Sequence, residues 1–276
     1  MNVTLNGQPL VEGVSPYDRG LHYGDGLFET IVCVKGQPRL LSLHLERLSL
    51  GCERLRIALG DVAPLRAEIQ NVAAAGEALV KVIVTRGEAV ARGYGWAGTE
   101  VASRLVIRYP LPPENSGARD GIRAVVAKLR YGENPHLAGL KHLNRLEQVL
   151  ARSEVPVEDA AELLVFSSCG NLVSGTMSNV FLVRQGRLLT PRLDRCGVAG
   201  VMRRVVLREA AAAGIPVEED VLSQEHLASA DEVFVTNARI GIWPVRVVGG
   251  RDLGVGPITR RVQARLETLL ESAPDA

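Results

Sequence analysis

Of the 32 basic residues in this chain of 276, only four are lysines: Lys35, Lys81, Lys128 and Lys141. The rest are arginines. The distinction is chemical, because arginine stays protonated under ordinary conditions, whereas a partly desolvated lysine can lose its proton and act as nucleophile or base. An amine can condense with an aldehyde, and a guanidinium cannot. Lys141 lies in "LAGLKHLNRLEQVLAR", 137–152. There Leu140, Leu143, Leu146 and Val149/Leu150 recur at helical spacing. The spacing predicts one helix with those residues packed and Lys141, Asn144, Arg145 and Gln148 on its polar face.

Three further stretches could hold an anion. In "RCGVAGVMRRVV" two glycines, Gly197 and Gly200, lead into a helix whose first amides can receive a phosphate. "HLERL" puts His44 and Arg47 one helical turn apart, and a guanidinium can grip phosphate at two points. "RGYGW", 92–96, sets an arginine and a tyrosine hydroxyl in a glycine-rich loop suited to carboxylate recognition.

The elements that must position these residues alternate along the chain. "VTLNGQPL" and "GLFETIVCVKGQPRLL" read as hairpins turning on Asn6-Gly7 and Lys35-Gly36. Ser42 can cap a helix running to about Leu59, and a second helix is expected near 62–75. Strands follow in "ALVKVIVTRG" and "SRLVIRYP". The proline-rich "RYPLPPENSGARDG" then interrupts regular structure. Beyond it come strands at 121–129 and 162–167, a hairpin at 179–190, a helix from about 200 to 213, strands at 231–236 and 240–248, and a closing helix at 257–272. The pattern predicts two domains of mixed α/β and α+β class: 1–110, a linker at 111–120, and 121–276. With 32 basic and 31 acidic residues, net +1, no charge excess points to nucleic acid or an anionic membrane. "MNVTLNGQPL" does not read as a signal peptide, and no stretch approaches the roughly 18 apolar residues of a membrane span. The four scattered cysteines have no metal or redox spacing, so reduced thiols, no metal and a cytoplasmic location are expected.

"DRGLHYGDGLFET" at 18–30, "HLERL", "RGYG", "GLKHLN" at 139–144, "SGTMSNVFLV" at 174–183 and "GVMRR" at 200–204 follow one another in a set order. From about residue 3 to 248 that order resembles the branched-chain aminotransferase-like group of pyridoxal-phosphate enzymes. These are the fold type IV, or D-amino acid aminotransferase-like, proteins, which include branched-chain and D-amino acid aminotransferases and aminodeoxychorismate lyases. The stretch 134–150 looks most like the lyases. The resemblance implies pyridoxal 5'-phosphate as cofactor, with Lys141, in the C-terminal domain, matching the lysine that joins the cofactor aldehyde. It matches Arg47 to the phosphate-binding arginine and Val201 and Met202 to the residues whose amides cap that phosphate. Asn237 falls where a further phosphate-side loop approaches, and Asn144 is expected near the phenolic oxygen. Arg92 and Tyr94 match positions that take substrate carboxylates, with Arg239 a further candidate. A small-molecule substrate and a homodimer with its site between domains are also implied.

Ser174 departs from the group's pattern. Relatives commonly carry a glutamate there, in a motif like E-G-x-x-S-N, that keeps a proton on the pyridine nitrogen. A serine cannot neutralise a pyridinium, so the ring becomes a weaker electron sink. That handicaps an aminotransferase more than a lyase whose product gains an aromatic ring. The expected reaction is therefore loss of pyruvate from 4-amino-4-deoxychorismate to give 4-aminobenzoate for folate synthesis, with Lys141 as general base. The alternatives are a D-amino acid or branched-chain aminotransferase, or a pyridoxal-phosphate-binding protein without turnover.

Overall fold

A computed structural model describes residues 3–11, 13–89, 92–113, 115–272 and 275. The chain divides into two compact units, Met1–Pro113 with Lys141–Asn144 and Ser272–Ala276, and Glu114–Leu140 with Arg145–Glu271.

The first unit begins with β1 (Val3–Leu5) and β2 (Gln8–Pro9), joined through Asn6 and Gly7 at φ 53° and 83°. Such left-handed pairs match the twist of antiparallel strands, and asparagine and glycine adopt them readily. After α1 (Arg19–Tyr23), Lys35-Gly36 likewise joins β3 (Gly26–Val34) to β4 (Gln37–Pro38). Then come α2 (Leu41–Leu55), α3 (Ala63–Ala73), β5 (Ala78–Thr85) and β6 (Ser103–Tyr109). The six strands pair antiparallel in the order β2-β1-β6-β5-β3-β4. Alternation gives this sheet two faces: Ile31, Val80, Val82 and Val84 are buried, while Phe28, Thr30, Lys81 and Ile83 keep partial exposure. Helix α2 buries Leu41, Leu45, Leu48 and Cys52. Ser42 does not cap it. The helix starts after Leu40, at φ 54°, and Ser42 donates its amide and hydroxyl to Asp275 at 2.7 and 2.9 Å. It ends at Leu55, short of Leu59, where Arg56 turns left-handed.

The stretch 137–152 is not one helix. Only Leu146–Arg152, α4, is helical. Residues 141–143 run along an edge of β3, with Phe28 N donating to Lys141 O at 2.9 Å and Leu143 N to Gly26 O at 3.0 Å. Edge pairing thus takes the backbone groups a helix would have used. Leu146, Val149 and Leu150 are exposed rather than packed. The same pairing places Lys141 in the first unit, not with the C-terminal segment as expected from chain order.

The second unit opens with a 3-10 turn, Ser116–Arg119, in the proline-rich stretch. Its further elements are β7 (Ile122–Tyr131), β8 (Glu162–Ser167), β9 (Leu172–Gly175), β10 (Asn179–Arg184), β11 (Arg187–Pro191), α5 (Val201–Ala212), β12 (Val217–Asp220), α6 (Gln224–Ala228), β13 (Glu232–Asn237), β14 (Gly241–Val248), β15 (Arg251–Asp252) and α7 (Pro257–Ser272). Nine strands form one mixed sheet, β12-β11-β10-β13-β14-β7-β8-β9, with β15 on β14. Leu164, Leu182, Val235 and Val245 fill its core, and Phe181 stacks on Phe234 at 4.9 Å. Among the described residues no helix is long and apolar enough to cross a membrane, and no cluster of side chains could hold a metal ion.

Candidate active site

Edge pairing with β3 sets Lys141 beside Phe28, and its Nζ lies 4.2 Å from the ring centroid. An ammonium over an aromatic face is attracted by the ring quadrupole. A second ammonium, Lys81 Nζ, is 5.2 Å from the same centroid. Both distances end on one ring, so the ammonium nitrogens of two of the chain's four lysines lie less than about 10 Å apart. The sequence alone gives Lys81 no role beyond being one of the four lysines, although its place in the alternation of β5 is readable. Asn144 is not one helical turn from Lys141, because that turn does not exist; its Nδ2 donates to Gly24 O at 3.1 Å.

Arg47 and His44 do share a face of α2, and both bind Glu29 on β3. Arg47 Nε donates to Glu29 Oε1 at 2.7 Å, and its Nη2 donates to Oε2. His44 Nδ1 meets Oε2 at 2.6 Å. Glu29 is 1% exposed. Burial works to raise its carboxyl pKa, but the charges of Arg47 and His44 and their hydrogen bonds prevail and bring it to about 2. The imidazole pKa is lowered, first by burial, with Arg47 and Lys141 adding repulsion against the pull of Glu29. An ionised carboxylate only accepts, so neutral His44 carries its proton on Nδ1. Its Nε2 is then an acceptor, buried and without a hydrogen-bond partner. Glu29 too went unnoticed; the signal was a carboxylate on the buried face of an alternating strand.

Arg92 and Tyr94 lie in an exposed loop, and Tyr94 is 83% exposed. Arg19 Nη1 and Nη2 hold the carbonyls of Gly93, Tyr94 and Gly95 at 2.9–3.1 Å.

In the second unit, Ser174 is the penultimate residue of β9 and donates its hydroxyl to Gly175 O at 2.8 Å. The loop after it is fixed by Glu162, a fully buried carboxylate that accepts from Thr176 Oγ1 and Ser178 Oγ, both at 2.6 Å. Asn179 Nδ2 donates to Val198 O at 2.9 Å, just before α5. Gly200, in extended conformation, precedes that helix, which has no side-chain cap and no acidic residue in its first turn. A Cβ at Gly200 would overlap Asn179 Oδ1. The amides of Val201 and Met202 thus open a helix with no side chain of its own to receive them. Asn237 Nδ2 donates to Met177 O at 3.0 Å, while its Oδ1 accepts the amides of Arg239 and Ile240. It therefore orders its own turn and the Met177 turn.

Residues 26–248 match the amino-transferase class IV family. The chain belongs to that family. It is 33% identical over 270 residues to an aminodeoxychorismate lyase from Vibrio harveyi, covering 96% of this chain and 99% of the relative. Among solved structures, a 4-amino-4-deoxychorismate lyase from Pseudomonas aeruginosa is similar at a TM-score of 0.92 and 44% identity, covering 99% of this chain and 100% of that one. A branched-chain amino acid aminotransferase from Escherichia coli gives 0.85 at 26% identity, covering 97% and 94%. The family is enzymatic and its cofactor is pyridoxal 5'-phosphate. Each unit by itself offers groups whose chemistry suits such a cofactor: the amine of Lys141 and the guanidinium of Arg47 in the first, and the helix start at Gly200, without a side-chain cap, in the second.

Proposed function

We propose that this protein is an aminodeoxychorismate lyase, releasing 4-aminobenzoate and pyruvate from 4-amino-4-deoxychorismate on the way to folate. The observation that carries the reading is the near-complete match, at 44% identity, to the Pseudomonas aeruginosa lyase. Ser174 supports it, because a ring without a carboxylate partner suits a reaction helped by aromatisation.

Lys141 is assigned as the amine that holds the cofactor. Arg47 and the amides of Val201 and Met202 are assigned to its phosphate, with Asn237 ordering a neighbouring turn. Asn144 is assigned to the phenolic oxygen and Ser174 to the pyridine nitrogen. Bound cofactor supplies an electron sink conjugated to the substrate amine. The amine of Lys141 takes the proton from the ring carbon bearing that amine and returns one to the departing enolpyruvyl group. The substrate is a dianion. Arg92, Tyr94 and Arg239 are its proposed carboxylate ligands, and Lys81 adds a second cation beside Lys141. A cytoplasmic homodimer fits the exposed apolar side chains of Tyr17, Leu21, Leu146, Val149 and Leu150, which a second copy would cover.

The test is incubation with enzymatically prepared aminodeoxychorismate and no 2-oxo acid. Equal amounts of 4-aminobenzoate and pyruvate are expected. Turnover that demands a 2-oxo acid and transfers the amino group identifies an aminotransferase instead, and a spectral change without product identifies a binding protein.

A further inference from the structure

Three successive carbonyls in the loop bearing Arg92 and Tyr94 turn onto one guanidinium. Arg19 Nη1 donates to Gly93 O and Gly95 O, both at 3.1 Å, and Nη2 donates to Tyr94 O at 2.9 Å. Its Nε donates to Asp25 Oδ2 at 2.9 Å. Arg19 is 3% exposed, although the loop it holds is open to solvent. Asp25 is shared with a second buried arginine. Arg86 donates to it from Nε at 2.8 Å and Nη2 at 3.0 Å, and also reaches the carbonyls of Leu55 and Arg56 at the end of α2. The Arg86 guanidinium carbon stands 4.4 Å from the centroid of Trp96, the next loop residue. Glu100 closes the far end by accepting the amides of Ala97 and Gly98 at 2.7 and 2.9 Å. Gly93 has φ 116°, a backbone conformation that suits glycine.

Water would satisfy the carbonyls of an exposed loop without any of this. Burying two guanidiniums around one carboxylate is costly unless every donor is used, and it gains conformational definition rather than stability. Here that definition is spent on the backbone of a solvent-exposed loop. We propose that Arg19 is a positioning residue for substrate recognition. By fixing the carbonyls of Gly93–Gly95 it holds Arg92 and Tyr94 ready for a substrate carboxylate, so that binding does not have to order the loop. The proposal rests on the reading of Arg92 and Tyr94 as carboxylate ligands.

The test is Arg19→Lys in the full-length, cofactor-loaded protein, which keeps a positive charge for Asp25 and loses the fork. Hydrogen–deuterium exchange in residues 92–98 should accelerate. The KM for aminodeoxychorismate should rise about ten- to a hundredfold while kcat and cofactor absorbance hold, the signature of lost uniform binding. Unchanged exchange, or a fall in kcat without a change in KM, overturns the proposal. Trp96→Leu, at a half-exposed side chain, loosens the same loop from the Arg86 side and decides the matter if Arg19→Lys does not fold. It should reproduce the KM-selective effect, and a looser loop with unaltered KM overturns the proposal. Arg92→Ala separates the two ideas. If it leaves KM unchanged, the carboxylate reading fails, while the exchange rates of Arg19→Lys still report whether Arg19 holds the loop.

Discussion

Removing Arg47 should injure the fold and the cofactor site separately, and the two losses can be told apart. Arg47 holds Glu29 through both oxygens, and Glu29 is almost wholly buried. Arg47→Ala leaves that carboxylate with His44 as its remaining side-chain partner. Breaking one side of a buried pair costs about 3–5 kcal/mol. For a chain of this size that corresponds to a melting point lower by roughly 6–20 °C in the cofactor-free protein. Exchanging both partners for apolar residues of similar size, Glu29→Leu with Arg47→Met, removes the stranded charge and should recover most of the loss. Cofactor binding should not recover. A charge-assisted phosphate contact contributes about 1.5–3 kcal/mol, so the double variant should bind pyridoxal phosphate about ten- to a hundredfold more weakly than the parent. Thermal melts of the cofactor-free proteins and absorbance titrations with pyridoxal phosphate measure the two terms. A double variant as unstable as Arg47→Ala refutes the stranded-carboxylate argument. Parental cofactor affinity in the double variant refutes Arg47 as the phosphate ligand.

Acid should weaken the first unit through two groups acting in the same direction. Glu29 falls from its ordinary 4.5 to about 2, so its contribution is present above pH 4.5 and lost as pH falls towards 2. His44, held neutral below its ordinary 6.5, contributes above 6.5 and loses that contribution as pH drops. Cofactor-free melting points should plateau near neutrality and decline below it, more gently in Glu29→Gln; a pH profile unaltered by that change contradicts the assignment. Gly200→Ala should cost about 1–3 kcal/mol and weaken cofactor binding, since its Cβ would displace Asn179 at the start of α5. Normal melting and titration curves would refute this. Ser174→Glu should raise the ratio of alanine transamination to lyase turnover, although the new carboxylate must also be desolvated at a buried site. A flat ratio in a variant that still binds cofactor means another group already partners the pyridine nitrogen.

What was legible in the sequence was local. The turns at Asn6-Gly7 and Lys35-Gly36 declare themselves because so few residues take positive φ. Helix α7 and strands β5 and β6 carry their own periodicity. The segment around Lys141 did not, because Leu140, Leu143, Leu146 and Leu150 imitate a helix stripe. What decides its conformation is the edge of β3, more than a hundred residues earlier in the chain. The role of Arg19 was equally hidden, since the carbonyls it holds are 74 to 76 residues away. Lys141, Arg47 and the glycines before α5 stand out in the sequence as residue types with a chemistry. Glu29, which binds Arg47, and Asn179, which packs on Gly200, come from tertiary contacts that no local pattern encodes.

The central claim is that Lys141 is the amine that holds the cofactor. Borohydride reduction of the cofactor-loaded protein, followed by peptide mapping, tests it directly. A pyridoxyl label on the peptide containing Lys141, and its absence from Lys141→Arg, is the expected result. Lys81 is the discriminating control, since its ammonium shares the ring of Phe28 with that of Lys141. A label on Lys81, or no label on any of the four lysines, would contradict the account.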